Sequence, residues 1–197
     1  MASQRSNGGF WAVILLFVAL LASACNVGGD DTAVKGVPNP AGATGDTVSD
    51  LALNEDGLGQ IQIGMTLDDA VNMGLLSENP SLKLECDYVF PAVGAGIPEG
   101  VSVMVVRGKI ARIDVDTGSV STEEGAKVGD SEDLVKRLYG TDLVSSPHKY
   151  IGGGHYLTVM GDSTSSGRAL VFETDGQHVT AFRAGRLPEV KWVEGCS

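Results

Sequence analysis

The stretch from Ala169 to Arg183, ALVFETDGQHVTAFR, reads as two strands joined by an Asp-Gly turn. Asp175 and Gly176 both tolerate positive φ, which the two-residue turns with strand-matching twist require. The same arrangement occurs earlier in the chain. Val101 to Val106 is followed by a turn at Arg107-Gly108 and then by Ile110 to Val115, where Ala111, Ile113 and Val115 alternate with Arg112 and Asp114. Tyr156 to Met160 and Glu189 to Val193 add strands, and Gly152-Gly153 is expected to turn a further hairpin between His148 and Tyr156.

Each hairpin is preceded by a helix signal. Ile63 to Val71, IGMTLDDAV, aligns without gaps to Val128 to Lys136, VGDSEDLVK, at a constant offset of 65. Thr66 and Ser131 are N-caps whose oxygens accept from backbone N–H groups two or three residues on. Asp68, Asp69, Glu132 and Asp133 then put negative charge in the first turn, where the helix dipole favours it. Leu67, Ala70 and Val71 recur at helical spacing, as do Leu134, Val135 and Leu138, and Gly74 and Gly140 close the C-termini. The pattern predicts an α+β fold: two helix-then-β-hairpin repeats, about 57–118 and 119–197, forming antiparallel sheet packed against short helices.

Ahead of this domain the chain has a different character. Phe10 to Cys25 reads FWAVILLFVALLASAC, with twelve successive apolar residues from Phe10 to Leu21. That run suits a signal-peptide core and falls short of the roughly 20 residues that span a bilayer as a helix. Ala22, Ser23 and Ala24 offer small side chains for a signal peptidase, and Cys25 follows directly. The block resembles the lipobox of bacterial lipoproteins, although Leu21 stands four places before the cysteine where the lipobox has leucine three places before it. The resemblance implies removal of residues 1–24, a diacylglycerol thioether on Cys25 and acylation of the new amino terminus. Ordinary secretion and an uncleaved anchor are the alternatives. Asn26 is not the aspartate that retains such lipoproteins at the inner membrane, which implies the outer membrane in a Gram-negative host.

Lipidation at Cys25 leaves Cys86 and Cys196 either as a disulfide in an oxidising compartment or as two buried thiols. Loss of the first 24 residues removes Arg5 and no acid, leaving 13 basic against 25 acidic side chains, a formal charge of −12. Such a chain repels phosphate backbones, and no Lys/Arg cluster offsets it, so no nucleic-acid partner is expected. Residues 25–56 are rich in Gly, Pro, Asp and Thr with no sustained apolar period, and are expected to form a tether. About 31 residues of such coil would hold residues 57–197, a single domain, roughly 30 Å from the anchor.

A Gly-Met-Thr segment opening a short helix, followed by antiparallel strands in a lipoprotein, resembles the SmpA/OmlA type of outer-membrane lipoprotein. The tandem arrangement is similar to the β-lactamase inhibitor protein fold. Ile63 to Thr66 and Val128 to Ser131 carry this resemblance. It implies a non-catalytic domain that binds another protein through its sheet or the faces around it, without a cofactor.

Several motifs invite a second reading, a small hydrolase. Asp116-Thr117-Gly118-Ser119 reproduces the D-T-G-S tetrapeptide of aspartic peptidases, which need a second aspartate to share a proton. Gly129-Asp130-Ser131 and Gly161-Asp162-Ser163 echo the Gly-Asp-Ser of serine hydrolases, whose serine needs a positioned base. The first serine is better read as a helix cap and the second as part of a polar loop. Asp116 and Ser131 are the only candidates worth mutating, and no catalytic residue is assigned. His148 and His155 are expected to face Leu157 and Tyr150 across a hairpin, and His178 gives no third zinc ligand. Asp114, Asp116, Glu123 and Glu124 do not follow EF-hand spacing, so no metal site is expected. Tyr88, Phe90, Tyr139, Tyr150, Tyr156, Phe172, Phe182 and Trp192 lie in the strand regions, either as core or as anchors on a binding face.

Overall fold

The computed structural model describes residues 51–79, 83, 85–162 and 167–197. The signal peptide, the lipidation site at Cys25, the tether up to residue 50 and Ser163 lie outside the described residues. The elements in chain order are β1 (Ala52–Asn54), β2 (Gly57–Leu58), β3 (Ile61–Gln62), α1 (Leu67–Asn72), β4 (Asp87–Val89), β5 (Val101–Val106) and β6 (Lys109–Val115). They continue with β7 (Ser121–Thr122), α2 (Glu132–Tyr139), β8 (Leu143–Pro147), β9 (His155–Met160), β10 (Arg168–Thr174) and β11 (Val179–Arg186).

The α+β expectation is overturned: the fold is mostly β, in two sheets, and is not a pair of helix-hairpin repeats. A seven-stranded antiparallel sheet runs β4-β5-β6-β11-β10-β9-β8, and a small four-stranded sheet runs β3-β2-β1-β7. Both helices do form behind their caps, Thr66 and Ser131, which accept from the N–H groups of Asp69 and Leu134. They remain six and eight residues long, too short to make a layer of their own, since helices below about 12 residues are marginal without tertiary packing. The small sheet supplies the missing cover. Asn54 Oδ1 accepts from the N–H groups of Asp56 and Gly57, folding β1 back on β2 so that Leu53 meets Leu58. The small sheet thus includes residues ahead of Gly57, with Leu53 fully buried.

The two hairpins share one sheet because β6 pairs with β11, with Val115 opposite Phe182 and Arg112 opposite Gly185. At the β5–β6 turn Arg107 and Gly108 both have positive φ (52° and 73°), the geometry of a twist-matched two-residue turn. The inner face contributes Val103, Ile113, Leu157, Leu170, Phe172 and Phe182 to the core, against Leu53, Leu58 and Ile61 of the small sheet, Ala70 of α1 and Val135 of α2. Each helix start is clamped to a hairpin turn. Leu67 N donates to Gly108 O at 2.9 Å, and Glu132 N to Gln177 O at 2.8 Å.

The opposite, outer face is partly crossed by the C-terminal segment. Glu189 to Val193, expected as a strand, is instead a 3-10 turn at Glu189–Lys191 followed by irregular chain. Two buried arginines hold it. Arg112, 4% exposed, donates from Nη1 to the carbonyls of Trp192 (2.6 Å) and Glu189 (3.2 Å), from Nη2 to Tyr88 Oη (2.6 Å) and from Nε to Asp114 (2.9 Å). Arg183 donates from Nε to Val190 O at 2.7 Å and pairs with Glu173. Gly185 makes room for this: a Cβ there would lie 2.6 Å from Ala111 O and 3.0 Å from Arg112 Cβ. A disulfide from Cys86 to Cys196 ties down the end of the strap, with Cα atoms 5.4 Å apart.

Candidate functional site

The strap covers the middle of the outer face and leaves the β8–β9–β10 end open. Side chains alternate across a sheet, so Val144 and Ser146 of β8, Tyr156, Thr158 and Met160 of β9, and Val171 of β10 share that face. They line a cavity of about 470 Å³ that the strap closes on one side with Lys191 and Val193. Val144 is 62% and Met160 45% exposed, apolar side chains of a size normally buried.

Beside this cavity lies the sheet edge. Among the described residues β8 is the terminal strand and pairs only with β9, in the register Val144 opposite Thr158 and Ser146 opposite Tyr156. His148 N donates to Gly154 O at 2.9 Å. Antiparallel pairs alternate between bonded and non-bonded positions, so Val144 and Ser146 bond to β9 while Leu143, Ser145 and Pro147 turn their backbone outward. Pro147 has no N–H to offer, which limits the open edge at that end.

At the other end of β8 a second cavity of about 660 Å³ is lined by Glu55, Asp56, Glu123, Glu124, Asp142 and Asp162, with Leu138, Tyr139 and Met160. Among the described residues no Lys, Arg or His lines it. Burial pushes the Glu55 carboxyl above its ordinary range, and the charges of Glu124, Asp56 and Glu123 add to that. Tyr139 donates to Glu124 at 2.5 Å, with Thr122 Oγ1 2.8 Å from the same phenol oxygen; burial and the Glu124 contact raise its phenol well above the usual value. Met160 lines both cavities.

The residues expected from sequence are dispersed. Asp116 is exposed at the end of β6; its N–H donates to Gly100 O at 3.0 Å, and Thr117 and Ser119 donate to Glu99 O, so D-T-G-S is a turn docked on the 99–100 loop. Ser131 is an exposed cap whose Oγ accepts from Leu134 N at 3.2 Å. Among the described residues, no hydrogen bond or ion pair brings a histidine, lysine or second carboxylate to either side chain. The expected histidine register is also corrected. His155 faces Pro147 and His148 faces Gly154, because residues 148–154 form a wider loop than a two-residue turn. His148 Nδ1 accepts from the N–H groups of Tyr150 and Ile151, leaving Nε2 toward Glu173 at 3.5 Å, while His155 Nδ1 meets Glu132 at 3.0 Å. Among the described residues no three His, Cys, Asp or Glu side chains form a metal-holding group, and no helix is long and apolar enough to cross a membrane.

The acidic quartet splits. Asp114 lies beside Arg112, its carboxyl raised by burial against the opposing pull of that guanidinium. Glu123 and Glu124 enter the acidic cavity. The aromatics divide too: Phe172 and Phe182 stack in the core at 5.6 Å and Tyr139 packs on Phe172, whereas Phe90 and Tyr150 are exposed and Tyr156 borders the outer cavity. Sequence reasoning missed β8 and with it the open edge. Leu143 to Pro147, two apolar residues, two serines and a proline, carries the signal of a short edge strand.

No protein-family model matches the chain, and no curated protein sequence matches it. Among solved structures, an extracellular protein containing a SCP domain from Bacillus anthracis str. Ames is similar at 12% identity and a TM-score of 0.37, over 78% of this chain and 50% of that one. The chain thus spans half the length of that protein, and a similarity of this size carries no argument about fold or function.

Proposed function

We propose that this is an exported lipoprotein, held at a membrane through acylated Cys25, whose β domain binds a protein partner on the outer sheet face beside β8. The observation that carries this reading is the pair of exposed apolar side chains, Val144 and Met160, flanking a cavity that the C-terminal strap leaves open. Exposed apolar surface rimmed by polar groups marks interaction sites, and Tyr156 in the wall is an amphipathic anchor of the kind interfaces use. The Cys86–Cys196 disulfide supports a compartment outside the cytoplasm. The resemblance of the N-terminus to a lipobox and of the helix starts to SmpA/OmlA and β-lactamase inhibitor proteins supports an anchored, non-catalytic binder.

The test compares tagged full-length protein with its Val144→Asp/Met160→Asp variant, each purified from the native envelope with co-purifying proteins quantified by mass spectrometry. A reproducible partner that the variant loses, and that Met73→Asp on exposed α1 surface retains, is the expected result. A partner held equally by both variants, or none at all, would overturn the reading. For the anchor, Cys25→Ser is expected to move the protein out of the membrane fraction, and its retention there would refute lipidation.

A further inference from the structure

We infer that the partner is engaged as an added β-strand along β8, through an extended segment that carries basic side chains where it passes Leu143. This rests on the reading above and specifies its chemistry.

Three features meet at β8. Leu143 and Ser145 turn both N–H and C=O away from β9, so an extended chain can pair with them. Alternate residues of that chain would stand beside Val144 and Ser146 on the outer face, next to the apolar cavity. Beyond Leu143 the chain would reach the acidic cavity, whose lining includes Asp142, Glu123, Glu124 and Glu55. Arg168 pairs with Asp56, and the other acids of the lining still make it negative. Lys191 and Arg183 line the apolar cavity, so a basic residue is unfavourable over it. Shape, backbone pairing and charge therefore point in one direction along one strand. In an antiparallel addition, the commoner pairing, the basic side chains fall at the C-terminal end of the partner segment.

The experiment uses intact protein in detergent and three fluorescent peptides of alternating valine and threonine. One ends in two lysines at its C-terminus, one ends in two glutamates, and the third is the lysine peptide N-methylated at alternate amides. The lysine peptide is expected to bind about tenfold tighter than the glutamate peptide at low ionic strength, the preference shrinking as salt screens the charges. N-methylation is expected to abolish binding, and the amide resonance of Ser145 to shift on titration. Glu123→Gln/Asp142→Asn, both on exposed side chains, is expected to bring the lysine and glutamate peptides close to parity. Equal affinity of the two peptides, tolerance of N-methylation, a stationary Ser145 amide or no binding of any peptide would overturn strand addition. If the partner is still lost from Val144→Asp/Met160→Asp, such a result leaves face binding standing and removes only the strand; retention of the partner by that variant removes both.

Discussion

Replacing Glu132 by Gln is expected to destabilise the domain by an amount that depends on pH in a defined way. Glu132 is the first residue of α2 and only 4% exposed. Its carboxylate accepts from Lys136 Nζ at 2.6 Å and Thr174 Oγ1 at 2.7 Å and meets His155 Nδ1 at 3.0 Å, joining the helix to β9 and β10. Burial alone would raise its pKa, but these hydrogen bonds and the Lys136 charge hold it down at about 2, against 4.5 for an unperturbed glutamate. A depressed carboxylate stabilises the fold above its unfolded pKa, and the contribution is lost as pH falls through the folded one. At 1.36 kcal/mol per pH unit the difference is about 3 kcal/mol; Lys136 is partly solvated, so about 2 to 3 kcal/mol is expected at pH 7. Glutamine preserves shape and removes the charge. Urea unfolding of both proteins across the acid range should show a constant gap above roughly pH 5.5, closing between 4.5 and 2. Other carboxylates titrate in both proteins and cancel. A gap below about 0.5 kcal/mol at pH 7, or one that does not change with pH, would refute the reasoning.

Removing the disulfide by Cys86→Ala/Cys196→Ala opens a loop of 110 residues and is expected to cost about 2 to 5 kcal/mol, read as a fall in the thermal midpoint; an unchanged midpoint would contradict it. Arg112→Met leaves the half-buried Asp114 without its paired guanidinium and releases the carbonyls of Glu189 and Trp192, at a cost of about 3 kcal/mol. Adding Asp114→Leu should recover part of that, and amide exchange should show the strap at 187–197 loosened in the single variant more than elsewhere. Phe172→Ala, between Tyr139 and Phe182, is expected to cost about 3 to 5 kcal/mol in chemical unfolding.

The hairpin strands and the caps were legible because their determinants are local, but the second turn is shifted by one residue: Asp175 N donates to His178 O, so Gly176 and Gln177 form its centre and Asp175 is not at positive φ. Asp175 Oδ1 accepts from the N–H groups of Gln177 and His178 within the turn itself, and Thr66 and Ser131 cap their own helices. The small sheet was not legible, since β1, β2 and β3 are two or three residues each and acquire their identity only by pairing over the core. The strap was misread for a related reason. Val190 and Trp192 alternate with charged residues as a strand would, but the carbonyls of this segment are claimed by Arg112 and Arg183 from β6 and β11. Nothing near those arginines in sequence announces the chain that covers them. β8 escaped because the wide 148–154 loop shifts the pairing from the register that Gly152-Gly153 suggests. The proposed binding face is built from such long-range pairings, so it could not be placed from the sequence.

The most direct test is photocross-linking in the native envelope from a residue placed at Ser145, whose backbone forms the open edge, with Met73 on α1 as the control position. A discrete adduct with one protein from Ser145 alone, mapping to a short segment of that protein with basic residues beside it, is the predicted result. Equal adducts from both positions, or none from Ser145 while the protein is properly folded and anchored, would contradict the account.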